Sequence, residues 1–543
     1  MKRLLSVLMA LLMLFLCLPT SMAEDVPTLT LWVPDHPNVT DWYDNEQTKH
    51  IEEVLGINLE FIKMPSDTKE YQSKLDLAMF GGGEDLPDII ITNFSVSLVQ
   101  LQLYAEAGYV VDISDYVKES TPLLDANLAD LTANPLSKEE YIAYLTSPDG
   151  KIYAMGQAGT SVNNSVSEGR SVVYGEWRDA YLEYAGLDEL TTIEQFKDML
   201  INFRDNDMNG NGDATDEIPM MSYKDYFMKC LYRQLMNPFV FSQEHYFYND
   251  DGTVILSVTT DGFVEGVKFI KSLFDEGLIS TLSITQDSTQ FKSICTANPT
   301  TVGVLGNYSS SIFPSTDPRR AGYFPLGALE GPTGLRQCAQ TPNIPGARFI
   351  VTSKCKDIEL AIKLGDLLSG REMSIWNRYG MENVNWVRLT GDEVGQSEYS
   401  SLGYTGDFNM INDIWGTPQN TNWAETGPSI KDGSDFGSRL LFKTGTGKYS
   451  HTAAIGSNII NEVRFANKEN SMFGLVFTAE EQEIIAEYQS AIETYIEESF
   501  TKFVTGKLDI DTDFDAFVSE LENLGMNEYL AAVQSCWDRM NND

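Results

Sequence analysis

Ile57-Asn58-Leu59-Glu60-Phe61-Ile62, a helical stretch around Lys69–Phe80, and Gly81-Gly82-Gly83 leading to Asp88-Ile89-Ile90-Ile91-Thr92 read together as strand, helix and strand. The flanks extend the pattern. Thr28-Leu29-Thr30-Leu31-Trp32-Val33 is an earlier strand, and about Asp44 to Leu55 an earlier helix. Strands alternating with helices signal βαβ units and a parallel sheet. Short, mostly apolar strands suit a sheet that helices cover on both faces. Downstream, about Glu176 to Ser280 is predominantly helical. Thr301-Val302-Gly303-Val304-Leu305 is strand-like and suggests a return to the first lobe. Ala347–Ser353 is a further crossing strand, followed by a helix with Ile358, Ala361, Ile362 and Leu364. Residues 395–450, rich in Gly, Asn, Thr and aromatics, read as long ordered loops of the kind that carry ligand contacts. Near the C-terminus, Thr478 and Glu481 make a capping box. Ile484, Ile485, Tyr488, Ile492, Tyr495 and Ile496 mark the buried stripe of the helix that follows.

At 543 residues the chain has room for two substantial lobes. Residues 1–23 stand apart: Lys2 and Arg3 precede an apolar run from Leu4 to Leu18, and Ser21-Met22-Ala23 offers small residues for cleavage after Ala23. This is the pattern of a secretory signal peptide. Cys17 raises a lipid anchor as the alternative, but bulky Leu16 precedes it where the lipoprotein peptidase favours Gly or Ala. Loss of Lys2 and Arg3 takes the formal charge from −41 to −43. Such an excess argues against nucleic acid or anionic lipid as a partner. Five cysteines remain, odd in number, far apart and without a CxxC or Cys/His metal pattern.

Asp207-Met208-Asn209-Gly210-Asn211-Gly212-Asp213-Ala214-Thr215-Asp216-Glu217 puts oxygen-bearing side chains at every second position among glycines and closes on two acids. A hard cation such as Ca²⁺ needs that arrangement, because alternate residues of a tight loop point inward and glycine permits the turn. Glu217 falls one position earlier than the closing Glu of the usual twelve-residue loop. The candidate ligands are Asp207, Asn209, Asn211, Asp213, Asp216 and Glu217; the competing reading is an Asx-rich surface turn. Thr191 and Thr192, with Glu194 and Gln195 three residues on, start a helix whose apolar face is Ile193, Phe196, Met199, Leu200 and Phe203. The loop caps the far end of that helix, so the metal has a structural role, pinning the helix to Ile218-Pro219.

Several of these stretches together resemble a known family. Phe80-Gly-Gly-Gly-Glu-Asp-Leu-Pro-Asp-Ile-Ile-Ile91 is similar to the signature of extracellular solute-binding proteins, which deliver ligands to ABC importers, and Asp149-Gly-Lys-Ile-Tyr153 to their hairpin. Trp177-Arg178 through Gly186-Leu187, Thr191-Thr192 and the loop ending Asp216-Glu217-Ile218-Pro219 resemble the large oligosaccharide-binding subgroup, which includes alginate-binding proteins. So do Arg378-Tyr379-Gly380 with Trp386, and Phe503-Val504-Thr505-Gly506-Lys507 through Asp538-Arg539. The resemblance spans roughly Thr28 to Arg539. Two features depart from the pattern. The lipid-anchor cysteine motif is absent or degenerate, and the calcium loop has one extra residue, which leaves open whether Thr215 or Asp216 is a ligand. The resemblance implies an α/β, two-lobed periplasmic-binding-protein-like fold, each lobe a sheet flanked by helices, with a hinge between them. The expected N-terminal lobe is 24–155 plus about 296–350, and the C-terminal lobe about 156–295 plus 351–543. It further implies a monomeric, extracytoplasmic, non-enzymatic protein that binds an oligosaccharide, carries structural calcium and works with ABC permease subunits.

Ligands of open α/β sheets bind outside the carboxyl ends of the strands. That rule selects Trp32 to Asp35, Thr92 and Asn93, and Asn307-Tyr308. Sugars present apolar C–H faces and dense hydroxyls, which suit aromatic platforms. Trp177, Tyr379, Trp386, Trp415 and Trp423 are therefore candidates beside Trp32, Asp35, Asn93 and Tyr308. Each has a plainer role open to it. Trp32 reads equally as core, Asp35 and Asn93 as turn or cap residues, and Trp177 with Tyr181 as helix packing. Trp376 and Trp537 read as structural. Rival functions are a secreted calcium-containing glycosidase, which needs two carboxylates flanking a cleft, a binder of peptides or another solute on the same fold, and a surface sensor or adhesin.

Overall fold

The computed structural model describes residues 26–131, 136–159, 171–306, 312–313, 317, 319, 322–339, 344–391, 408–410, 418–432, 464–467 and 469–541. Nine strands make the two central sheets: β1 (Thr28–Pro34), β2 (Asn58–Met64), β3 (Ile89–Ile91), β4 (Ala154–Gln157), β5 (Val172–Tyr174), β6 (Ile218–Met221), β7 (Val302–Leu305), β8 (Tyr323–Pro325) and β9 (Gly346–Val351). The first sheet has the order β2-β1-β3-β9-β4 and the second β8-β5-β7-β6.

The expected βαβ start is present. β1 runs parallel to β2 from Thr28–Asn58 to Pro34–Met64, and parallel to β3 at Leu31–Ile89 and Trp32–Ile90. The helices between these strands begin and end where the sequence dictates. Asn45 caps Glu46–Leu55 by accepting from Gln47 N–H, and Gly56 closes it in the left-handed conformation. The three isoleucines of β3 are wholly buried, as a strand covered on both faces requires. The sheet is mixed, however: β9 runs antiparallel between β3 and β4. β9 enters from the other lobe, so no βαβ crossover fixes its direction. In the second sheet only β6 and β7 are parallel.

The two lobes are built, but their segments divide differently from the expected boundaries. β7 lies in the second sheet between β5 and β6, and β8 lies at its edge. The 302–325 stretch is therefore part of the C-terminal lobe, not a return to the first. Val304 packs with Phe203 and Met220 in that lobe's core. Conversely, the helix Ile358–Ser369 buries Ala361, Ile362, Leu364 and Leu368 in the first lobe's core, and Trp423 and Ile430 join them. Lobe 1 thus comprises the chain to β4 plus β9 through residue 432, and lobe 2 comprises β5 to residue 339 plus the C-terminal helices. The chain crosses between lobes three times.

In lobe 2, Thr192 and Gln195 form the capping box of helix Ile193–Asp205, whose buried residues are Ile193, Phe196, Met199, Leu200 and Phe203. Thr478 and Glu481 likewise cap the helix Ala479–Val504. That helix and the next two (Ile510–Asn523 and Met526–Asn541) pack with Asp261–Asp275 in the same core. Cys295, Cys338, Cys355 and Cys536 are buried. Among the described residues no helix is long and apolar enough to cross a membrane. The signal-peptide segment lies outside the described residues.

Candidate functional site

A cavity of about 370 Å³ opens in lobe 1 where β1 and β3 end. Pro34, Asp35 and His36 enter it from β1, and Thr92 and Asn93 from β3. Its other wall is Arg348 from β9 together with Ala424, Glu425 and Thr426. Asp35, Thr92 and Asn93, which the strand-end rule selects, all line this cavity. Asp35 is half-exposed and pairs with Lys63 at 3.2 Å. Asn93 donates its amide to the Ser66 carbonyl at 2.8 Å, while its Oδ1 is buried without a partner.

Behind the cavity lies a buried ionic group that no local sequence pattern announces. Glu425 Oε1 is 2.7 Å from Lys431 Nζ, and Oε2 is 3.1 Å from Arg378 Nη1. Burial alone would raise the Glu425 carboxyl, but Arg378, Lys431 and Arg348 outweigh it and hold the group at about 2. Burial pushes the Lys431 ammonium and the Arg348 guanidinium down, against the pull of Glu425. It also holds His36 below its ordinary value, again with Glu425 opposing. The segment carrying Glu425 is strained: Ala424 and Glu425, neither a glycine, have φ of 48° and 64°.

The aromatic candidates fare differently. Trp32 is 6% exposed and sits in the lobe 1 core. Trp423 is fully buried between Trp42 and Phe61, its indole N–H donating to Thr48 Oγ1 at 2.9 Å. Its polar, turn-rich surroundings suggested exposure, but distant aromatics close over it. Trp177 is buried edge-on to Phe203 in lobe 2. Tyr379 packs with Ile375, Trp386 and Phe408 in a small separate core. None of these four presents a face on which a sugar could stack, so their ligand roles are withdrawn. Trp386 is also 2% exposed and donates to the Gly380 carbonyl, although its edge borders a second, apolar cavity of about 570 Å³ beside Trp376, Met373 and His50. Tyr308 and Trp415 lie outside the described residues.

Sequence reasoning missed His36, Arg348 and Glu425. His36 follows the selected Asp35, so extending the strand-end rule by one residue would have found it.

The acidic loop joins helix Ile193–Asp205 to β6, as expected. Asp207 accepts from the N–H groups of Asn211 and Gly212 at 3.1 and 2.8 Å, and Asn209 Oδ1 accepts from Asn211 N–H. Glu217 Oε1 accepts from the Met208 and Asn209 N–H groups, while its buried Oε2 has no partner. Burial raises the Glu217 carboxyl above its ordinary value. Asp216 instead accepts from the side-chain amides of Asn209 and Asn211, and the Thr215 hydroxyl donates to Asp213. Among the described residues no three His, Cys, Asp or Glu side chains cluster as a metal site; here the acids alternate with asparagine amides, whose oxygens are equally suited to a hard cation. A folded, inward-turned loop with an orphaned buried carboxylate oxygen fits such a cation.

No protein-family model matches the chain. It is 26% identical over 508 residues to FusA of Streptococcus pneumoniae, a fructooligosaccharide ABC transporter substrate-binding protein, covering 90% of this chain and 86% of that one. The structure of FusA with kestose superposes with a TM-score of 0.69 at 23% identity, over 95% of this chain and 99% of that one. An EF-hand mutant of FusA, with fructo-nystose, gives 0.69 at 22% identity over the same shares. An HMO-binding, ABC-transporter-associated solute-binding protein of Bifidobacterium longum infantis gives 0.71 at 17%, over 95% and 99%. The alginate-binding protein AlgQ2, without calcium ion, gives 0.62 at 16%, over 95% and 98%. The chain therefore has, along nearly its whole length, the two-lobed fold of the extracellular solute-binding proteins that its motifs resemble.

Proposed function

We propose that this protein is an extracytoplasmic substrate-binding protein that captures an oligosaccharide between its lobes and delivers it to the permease subunits of an ABC importer. The observation that carries the reading is the near full-length likeness to FusA, a substrate-binding protein for fructooligosaccharides. The lobe 1 cavity supports it, because it lies at the carboxyl ends of β1 and β3 and is walled by side chains that exchange hydrogen bonds with hydroxyls. The lobes close about the three crossings and shield the ligand from water. No chemical step is required, so the protein binds without turning over its ligand and acts as a monomer. In the loop, Asp207, Asn209, Asn211, Asp213 and Glu217 would hold Ca²⁺, with Asp216 bracing the two asparagines. When bound, the ion supplies a structural tie between helix Ile193–Asp205 and β6.

Calorimetry of the purified mature protein against plant and bacterial oligosaccharides, with chromatography of the sugars after prolonged incubation, tests the reading. Saturable binding with intact sugar is expected. Sugar release, or no binding across the panel, would overturn it.

A further inference from the structure

The geometry points to Arg348, paired with Asn93, as the residue that selects the ligand: the two jointly hold one hydroxyl of a neutral sugar residue in the lobe 1 cavity. The inference rests on the solute-binding reading above and adds the ligand's charge class and a specificity residue.

Arg348 occupies a place the regular sheet would not provide. On β9, Ala347 pairs with Gly156 and Phe349 with Met155, so Arg348 is the extra residue of a β-bulge. Bulges re-aim side chains and gather at functional sites. Its carbonyl accepts from Thr92 N–H at 3.0 Å, which ties the bulge to the end of β3 beside Asn93. The guanidinium is held as firmly. Nη1 donates to Gln157 Oε1. Gln157 in turn donates its amide to the Glu425 and Gly427 carbonyls at 2.9 and 3.2 Å and to Ser429 Oγ at 3.1 Å. A donor fixed in advance by its neighbours loses little freedom when a ligand arrives.

Two buried polar atoms of residues that line this cavity lack partners, and they are of opposite sense. Arg348 Nε–H is a donor; Asn93 Oδ1 is an acceptor. A hydroxyl satisfies both, since its oxygen accepts from Nε–H while its proton goes to Oδ1. A carboxylate can take the first bond only. It would leave the buried Asn93 Oδ1 without a donor and set a second lone-pair oxygen against it. Glu425 already has Arg378 and Lys431 on its two oxygens, and Arg348 adds to their field.

The test titrates the full mature chain with kestose, maltotriose, xylotriose and galactotriose as neutral probes and trigalacturonate as the acidic one. At least one neutral trisaccharide is expected to bind, with trigalacturonate neither binding nor competing. Arg348→Met is expected to weaken the neutral ligand about 10- to 100-fold, the range of a lost hydrogen bond to a charged group. Asn93→Asp, which keeps an acceptor, should stay within a few-fold. Arg348→Met combined with Asn93→Ala should be less than additive, because both serve one hydroxyl. Unchanged melting temperatures exclude misfolding as the cause. If no probe of either class binds, the solute-binding reading falls and this inference with it. If trigalacturonate binds as well as the neutral sugars, the charge class alone is overturned. If Arg348→Met leaves neutral binding intact, its selecting role is overturned.

Discussion

Glu425→Gln removes a negative charge in contact with both Arg378 and Lys431, which are 8% and 5% exposed. Two lines of reasoning give its size. Breaking a buried ion pair leaves an uncompensated charge and costs about 3–5 kcal/mol. Independently, a carboxyl held at about 2 instead of 4.5 contributes about 3 kcal/mol at neutral pH. The two agree. Because the folded-state value is the lower one, this stability is complete above pH 4.5 and is lost as pH falls toward 2. Thermal and urea unfolding of the wild type should therefore weaken through that acid window, and the Gln variant should lack this component.

At neutral pH the variant's lobe 1 transition should fall by about 6–20 °C, taking about 2–4 °C per kcal/mol for a unit of this size. Fluorescence of the lobe 1 tryptophans, Trp42 and Trp423 among them, follows that lobe's transition, which matters where two lobes need not unfold together. Adding Lys431→Met removes one of the stranded cations and should restore at least half of the loss. A Gln variant within about 1 kcal/mol of wild type, with an unchanged acid profile, would refute the claim that this cluster is electrostatically coupled.

Three further outcomes are expected. Chelation with EGTA should lower the lobe 2 melting transition by up to about 2.7 kcal/mol, the value for a metal at about 100 times its Kd. Asp207→Ala with Glu217→Gln should abolish the effect, and an absence of bound calcium on elemental analysis together with no shift would sink the assignment. Gly303→Ala puts a Cβ 2.5 Å from the Phe203 ring and 3.0 Å from the Pro219 carbonyl oxygen; a loss of about 1–3 kcal/mol in urea unfolding of lobe 2 is expected. Trp423→Phe keeps an aromatic ring in the core but loses the bond to Thr48, so stability should drop by about 1–2 kcal/mol while sugar affinity stays within a few-fold. A large affinity loss without a stability loss would restore Trp423 as a stacking platform.

What the sequence revealed was what local chemistry determines. The Thr192–Gln195 and Thr478–Glu481 boxes each span four residues, and both are formed. β1 and β3 are largely buried apolar runs and β2 carries Leu59 and Phe61 as alternate buried residues, so each pattern reads as a strand. Asp35 and Asn93 follow from a rule that needs only the ends of those strands. The lobe of β7 was not legible: Val302-Gly303-Val304-Leu305 is compatible with either sheet, and its partners, Val172 and Val173 in β5 and Ile218 to Met221 in β6, lie about a hundred residues away. Arg348 was hidden for a related reason, since a bulge is a property of two paired strands and not of one sequence. Trp423 misled because burial by Trp42 and Phe61 is imposed from the opposite end of lobe 1's chain.

The strained segment beside the cavity shows why these long-range features belong together. Left-handed backbone at Ala424 and Glu425 costs on the order of 1 kcal/mol at each residue, so something must hold it. Asn422 Oδ1 accepts from Ala424 N–H at 3.1 Å, the Asn377 carbonyl accepts from Glu425 N–H at 3.1 Å, and the Asn377 amide donates to the Thr426 carbonyl at 3.0 Å. Gln157 then takes the Glu425 and Gly427 carbonyls, and the ion cluster fixes the Glu425 side chain. Each of these restraints comes from a different part of lobe 1, and all of them converge on one wall of the cavity. A wall restrained this fully has its donors and acceptors in place before a ligand arrives. The ordering cost that usually erodes affinity for a polar, hydroxyl-rich molecule is then already met by the folding of lobe 1. On the proposed reading, closure of lobe 2 would then have only to exclude water and add its own contacts.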